Sequence, residues 1–449
     1  MSDTTLFAQG GPLPRDDGYR GIWFHDAPTG DEYRYLYSGG LATYPQQHVP
    51  IACHARAVGK TFFCYGGRPK DVNQLLHAIS YYDHALGVVP RPAILLQRHT
   101  DDAHDNPTMS LDANGFIWIF SNSHGTGRPS YIHRSARPYG IDAFDLVATT
   151  NFSYSQPWHV PGRGFIVLHT RYSPAGERRL FWMTSTDGVA WDEPQLLAHV
   201  EKGHYQVSWR AGDRIGTAFN YHPAPIGLAA RTNLYYLQTD DMGCTWRTAS
   251  GGPISPPLLE ARNAALVHDY RAEGLLVYLK TVDFDLDGRP VILFITSHGH
   301  PPGPANGPRT WRTAHWTGER WDIRSVTTSG NNYDFGSLSV EADGTWRIIA
   351  PTEFGPQPYN VGGEMVLWTT DDEGATWTRV RQLTHGSAYN HSYARRPFDA
   401  HPDFYAFWAD GHGRQPSDSR LYFTNRTGDH VWRLPPVMHD EFTYPEIAW

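Results

Sequence analysis

Cysteine is scarce: 449 residues contain three, Cys53, Cys64 and Cys244. A disulfide scaffold is therefore excluded for a chain of this size. Cys53 and Cys64 could bridge a hairpin, although two ordinary buried thiols are the simpler reading. No apolar run approaches the roughly 20 residues of a membrane-spanning helix. The stretch Met1 to Asp17 is polar and has no apolar core of the kind a secretory leader carries. Charge of one sign is not concentrated anywhere. The net charge is −8, well mixed, with no basic stripe for nucleic acid. Linker-like and low-complexity runs are missing too, so one continuous domain over 1–449 is expected. Helical periodicity is nearly absent; the best stretch, Val72 to Tyr82, has poor apolar spacing. No Gly-rich phosphate loop, Gly-x-Ser-x-Gly elbow, Cys-x-x-Cys or His-Glu-x-x-His occurs.

What the chain has in excess is aromatic residues, 14% of the total with 25 Tyr and 16 Trp. Rigid rings with a polar handle suit packing between sheets and also stacking on sugars. Strand-like runs recur throughout, among them Phe116 to Phe120, Phe165 to Leu168, Leu275 to Leu279, Val291 to Phe294 and Phe404 to Trp408. Gly, Asp, Asn and Pro punctuate them at all-β spacing. One short motif repeats. Thr239-x-Asp241-x-Gly243-x-Thr245-Trp246 recurs as Thr370-x-Asp372-x-Gly374-x-Thr376-Trp377, with a shortened copy at Ser185-x-Asp187-Gly188-x-x-Trp191. Asp and Thr side chains can cap turn N–H groups, Gly takes the positive-φ position, and Trp plugs between sheets. These are Asp-box hairpins of the kind found in β-propellers. Blades of about 50 to 65 residues would make a seven-bladed β-propeller, a six-bladed ring with a long insertion being the alternative. The strand-like segment Gly18 to Trp23 is expected to complete the last blade and close the ring.

Candidate chemistry gathers where titratable residues interrupt strand text. Asp102-Ala103-His104-Asp105-Asn106-Pro107 and Asn122-Ser123-His124 flank a buried-strand pattern, so His104 and His124 can converge, and imidazoles titrate near working pH. Tyr154 and Arg171 lie either side of a hairpin turn at 161–164 and can share a face; Tyr172 adjoins Arg171. Tyr221 and His222 end another strand. Tyr333 sits in Asn331-Asn332-Tyr333-Asp334-Phe335-Gly336-Ser337, and His391, Arg395 and Arg396 in Tyr389 to Pro397. Arginine pairs recognise carboxylates or sulfates bidentately, or equally tie neighbouring blades together through Asp. His298 and His300, with His268 and His315, give a weak signal for zinc.

Together the Asp boxes, Asp-Ala-His-Asp-Asn-Pro, Asn-Tyr-Asp-Phe-Gly and Asn-His-Ser-Tyr-Ala-Arg-Arg-Pro resemble the seven-bladed propeller polysaccharide lyases typified by ulvan lyases, from about Gly18 to the C-terminus. That resemblance implies cleavage of an anionic, uronate-containing polymer, with or without sulfate, by β-elimination, leaving 4,5-unsaturated ends. It implies a catalytic set of His104, His124, Tyr154, Arg171 and Tyr221. Substrate contacts would come from Tyr172, His222, Tyr333, His391, Arg395 and Arg396. It also implies no cofactor for the chemistry, a structural zinc or calcium ion in many members, and secretion or a periplasmic location, while the polar stretch Met1 to Asp17 leaves a cytoplasmic one open. A monomer is expected, and the charge pattern and the lack of a long apolar run point to neither nucleic acid nor membrane as a partner. Two other readings stand beside it. A sialidase-like glycoside hydrolase also uses Asp boxes, although its Phe/Tyr-Arg-Ile-Pro segment is missing here. A non-catalytic carbohydrate-binding propeller is the third, because fold alone does not decide function.

Overall fold

Seven antiparallel sheets follow one another along the chain in the computed structural model, which describes residues 4–8, 10–43 and 47–449. Each sheet is built on four strands in sequence order, spanning 52–97, 107–150, 153–198, 206–247, 276–329, 337–382 and 390–433. This is the expected seven-bladed β-propeller, and no α-helix occurs among the described residues. The segment 72–82, the best helical candidate by pattern, contains most of the strand Leu76–Asp83. Its ladder with Lys60–Gly67 overrides the weak periodicity.

The aromatic excess is spent between blades. Trp118, Trp158, Trp246, Trp311, Trp346 and Trp408 are fully buried, one in each sheet from the second to the seventh. Phe62 and Phe63 fill the first sheet. Cys53 and Cys64 are buried free thiols on neighbouring strands.

Closure of the ring differs from expectation. Residues 18–23 add no strand to the seventh sheet, whose fifth strand comes from the C-terminus, Glu446–Ile447. They run instead between the first and last sheets. Tyr19 N–H donates to Pro435 O, Gly21 N–H to Ser419 O and Ile22 N–H to Gly66 O. Glycine is needed at Gly21, where a Cβ would meet the Ser419 side chain and Ala42. The chain then forms a separate hairpin, Trp23–Pro28 with Tyr35–Gly40.

Both full Asp boxes close as the motif requires. Thr239 Oγ1 accepts the Gly243 N–H, and Asp241 Oδ1 accepts the Thr245 N–H. The copy at Thr370 repeats these bonds. They follow the third strand of their sheets. Because strands alternate in direction, the boxes lie on the face opposite the loops that precede each first strand and join each second strand to the third. Those loops carry the candidate chemistry.

Candidate active site

The Asp102 segment precedes the first strand of the second sheet, Pro107–Leu111, and His124 follows its second strand, Ile117–Ser121. The two loops are tied by asparagines. Asn122 Nδ2 donates to Asn106 O, and Asn122 Oδ1 accepts the Ser155 N–H. This brings His104 and His124 face to face, ring centroids 4.0 Å apart and 17° from parallel. One carboxylate holds both. Asp102 Oδ1 lies 2.6 Å from His104 Nδ1, and Oδ2 lies 2.8 Å from His124 Nδ1. Burial opposes ionisation of Asp102, yet the two imidazoles keep its pKa well below the usual carboxylate value. A carboxylate accepting from both Nδ1–H groups leaves each Nε2 with its lone pair. For His104 that atom meets the Tyr37 hydroxyl at 2.9 Å. The His124 side chain is 30% exposed against 5% for His104, so His124 presents its imidazole to the cleft. Burial, and then the neighbouring His104, push the His124 pKa below its ordinary value. Beneath them Asp105 accepts the His124 N–H and pairs with Arg128.

The third sheet adds two phenols. A register shift between Ser153 and Gln156 leaves Tyr154 at φ 53°, an uncommon backbone state for a bulky side chain. Its hydroxyl meets that of Tyr172 at 3.0 Å, and the Tyr172 ring lies 5.7 Å from His124. Tyr172 and Arg178 are directly opposite in the strand ladder and so share a face. The Arg178 guanidinium sits 5.1 Å from the Tyr172 ring and 5.5 Å from that of Tyr205. Tyr205, just ahead of the first strand of the fourth sheet, also packs edge-on against Tyr154 and His222. Beyond it stands Arg231, fully buried, bonded to the Tyr333 hydroxyl and 4.5 Å from the Tyr278 ring. Neutral tyrosines surround Arg178 and Arg231, and among the described residues neither guanidinium pairs with a carboxylate. Burial, then these two arginines, push the His222 pKa far down, so its ring is neutral. The arrangement is a cleft with uncompensated positive charge, a neutral imidazole and a pair of hydroxyls.

His104, His124, Tyr154, Tyr172, His222 and Tyr333 are thus brought together, and the other expected residues are not. Arg171 is opposite Arg179 in the same ladder and faces away, over Phe181 and toward Glu193. Arg178 stands where Arg171 was expected, because the two arginines lie on opposite faces of one sheet. Tyr221 also alternates away from His222, and its hydroxyl accepts from Arg271 Nη1 at 2.6 Å. His391 is sealed inside the seventh sheet, accepting from Trp408 Nε1 and bonded to Ser387. Arg395 is buried over the Phe335 ring at 3.7 Å, with Nε donating to Thr43 O. Arg396 ties blades together, stacked on Trp209 and paired with Asp283. Its charge is spent on neighbouring sheets, the alternative noted for that pair.

Sequence reasoning missed Asp102 as the clamp, Tyr37, Arg178, Tyr205 and Arg231. Tyr205 had a signal: like His104, it lies in a loop just before a first strand. The His-x-His at 298–300 does not converge with His268 or His315. His300 bonds the Tyr278 hydroxyl, His268 pairs with Glu273, and His315 with Asp285. Among the described residues two other groups gather metal-type donors: Asp102 with His104 and His124, and His84 with His401 and Asp403. In the first, both Nδ1 atoms are already committed to the carboxylate.

Comparison with known proteins agrees with this architecture. A family profile described as a BNR repeat-containing family member matches residues 92–329, over half of the chain. An ulvan lyase of Alteromonas sp. (strain LOR) is 22% identical over 338 residues, covering 67% of this chain and 68% of that protein. A polysaccharide lyase PL25 ulvan lyase structure superposes with a TM-score of 0.68 at 19% identity, over 91% of this chain and 95% of its own. Another, bound to -[GlcA(1-4)Rha3S]-, gives 0.67 at 17% identity over 94% and 96%. The fold is that of these propellers, and the chain belongs to the BNR repeat-containing family.

Proposed function

We propose that this protein is a polysaccharide lyase that cleaves a uronate-containing, ulvan-like polymer by β-elimination. The observation that carries the reading is Arg178: a half-buried guanidinium with no acidic partner among the described residues, beside a neutral imidazole and paired phenol hydroxyls. The C5 proton of a uronate is weakly acidic because the adjacent carboxylate is already negative. Arg178 pairs with that carboxylate and stabilises the enolate-like charge that develops, an electrostatic contribution. His124 Nε2 takes the C5 proton, oriented by Asp102 through Nδ1. The C4–O4 bond breaks, and the Tyr154–Tyr172 hydroxyl pair delivers a proton to the departing oxygen. Burial raises the Tyr172 pKa to about 12, so the proton is held until needed. Two of the relatives support the substrate class: one is an ulvan lyase, the other a lyase holding a glucuronate–sulfated rhamnose unit. A glycoside hydrolase needs two carboxylates flanking the bond, whereas Asp102 and Asp105 here are both spent on holding histidines and arginine. The test is ultraviolet absorbance from unsaturated uronate ends during incubation with ulvan. A signal from wild type supports elimination. Reducing sugar released without that chromophore would overturn it.

A further inference from the structure

On the face opposite the cleft, three histidines from the first and last blades crowd one spot. His54 lies on the first strand of the first sheet and His84 just past its third strand. His401 lies in the turn between the first two strands of the seventh sheet. The ring centroids of His84 and His401 are 3.7 Å apart, and His54 is 5.0 Å from His401. Asp403 adds a carboxylate; its Oδ2 is 3.7 Å from His401 Nδ1. One donor atom each from His84, His401 and Asp403 lies within 4.8 Å of the others. His84 Nε2 bonds Thr61 Oγ1, but its Nδ1 is buried with no hydrogen-bond partner. A buried imidazole nitrogen left unpaired is costly unless something takes its lone pair.

The position matters because of how the ring closes. Among the described residues no strand ladder joins the first and seventh sheets. One isolated bridge joins Cys53 to Phe398, through the His54 N–H to Phe398 O and the Phe398 N–H to Ala52 O. The segment 18–23 hydrogen-bonds to both blades, and aromatic contacts such as Phe63 with Phe407 and Tyr82 with Phe423 pack across the seam.

We propose that His84, His401 and Asp403, with His54 as the fourth donor, form a zinc-type divalent cation site that pins the first blade to the last. Imidazole nitrogens with one carboxylate are a borderline-soft donor set suited to tetrahedral Zn²⁺. Bonds of about 2.0–2.2 Å require donors closer than they stand here. The turn bearing His401 and Asp403 is solvent-accessible and can close by side-chain rotation. The inference is independent of the reaction in the cleft.

The experiment is zinc titration of chelator-stripped full-length protein, followed by calorimetry and thermal melting, with Co²⁺ as a spectroscopic probe. Wild type should bind one equivalent at this site, show the visible band of tetrahedral Co²⁺, and melt about 3 °C higher at a hundredfold excess over Kd. Zinc should also slow amide exchange in residues 52–64 and 398–407. His401→Ala and Asp403→Ala, both on an accessible turn, should melt like stripped wild type and lose the shift and the band, whereas His124→Ala in the cleft should keep them. Absence of saturable binding by wild type would overturn the proposal. So would binding unchanged in both turn variants, or binding abolished by His124→Ala and retained by His401→Ala.

Discussion

At the residue scale the account turns on which side of a strand a side chain takes. Tyr172 and Arg178 face the cleft because they are ladder partners; Arg171, one position from Tyr172, does not. The text Arg171-Tyr172-Ser173-Pro174-Ala175-Gly176-Glu177-Arg178-Arg179 offers three arginines, and face parity across the turn depends on where the ladder resumes. The two histidines were legible because one precedes the first and the other follows the second of two neighbouring strand-like runs, which puts both at the same end of a hairpin. Asp102 was not, since nothing in the text says that one carboxylate reaches two rings. A pH prediction follows from His124. Its pKa is lowered, so the neutral, proton-accepting form persists below the ordinary value of 6.5. The acid limb of kcat/KM should therefore fall below pH 6.5, and an Asp102→Asn variant, lacking the carboxylate that favours the imidazolium, should lose rate without moving that limb upward. A pH profile with an acid limb above 6.5 would remove His124 from the role of base. For His391, buried against Trp408, the expectation is structural. His391→Ala should cost about 1–3 kcal/mol in denaturant unfolding, from the unpaired indole N–H and lost packing, with KM unchanged.

Elements were more legible than sites. Asp boxes prescribe their own hydrogen bonds, and each named residue makes the bond its type predicts. Thr239 is buried and its hydroxyl caps the Gly243 N–H. Thr239→Ala should lower stability by about 1–3 kcal/mol by stranding that donor, read by urea unfolding; Thr239→Ser should recover most of it. The Asn331 to Ser337 segment looked functional because polar residues crowd before a strand. Most of that polarity is local: Asp334 accepts the Asn331 and Gly362 N–H groups. Only Tyr333 reaches the cleft arginines. The hairpin of 23–40 escaped notice because only its first residues read as strand, although it supplies Tyr37 to His104.

At the scale of the whole molecule, blade number could be inferred because turn signals recur at the spacing of one blade, whereas closure could not. Closure depends on contacts between residues nearly 400 positions apart, and local pattern carries no trace of them. The net charge of −8 surrounds a cleft that is locally positive, so association with a polyanion rests on short-range pairing. Added salt should raise KM and leave kcat nearly constant, because an open cleft is screened while charge at the reacting carbon is shielded from solvent ions. Measured initial rates across an ionic-strength series check this; a fall in kcat with constant KM would contradict it. The most direct test of the central claim is the ultraviolet elimination assay on ulvan, with wild type beside Arg178→Ala and Arg171→Ala. The account predicts a rising signal from wild type, a similar one from Arg171→Ala, and a loss of about 10²- to 10³-fold in kcat for Arg178→Ala. No absorbance from wild type on ulvan and other polyuronates, or full activity in Arg178→Ala, would contradict it.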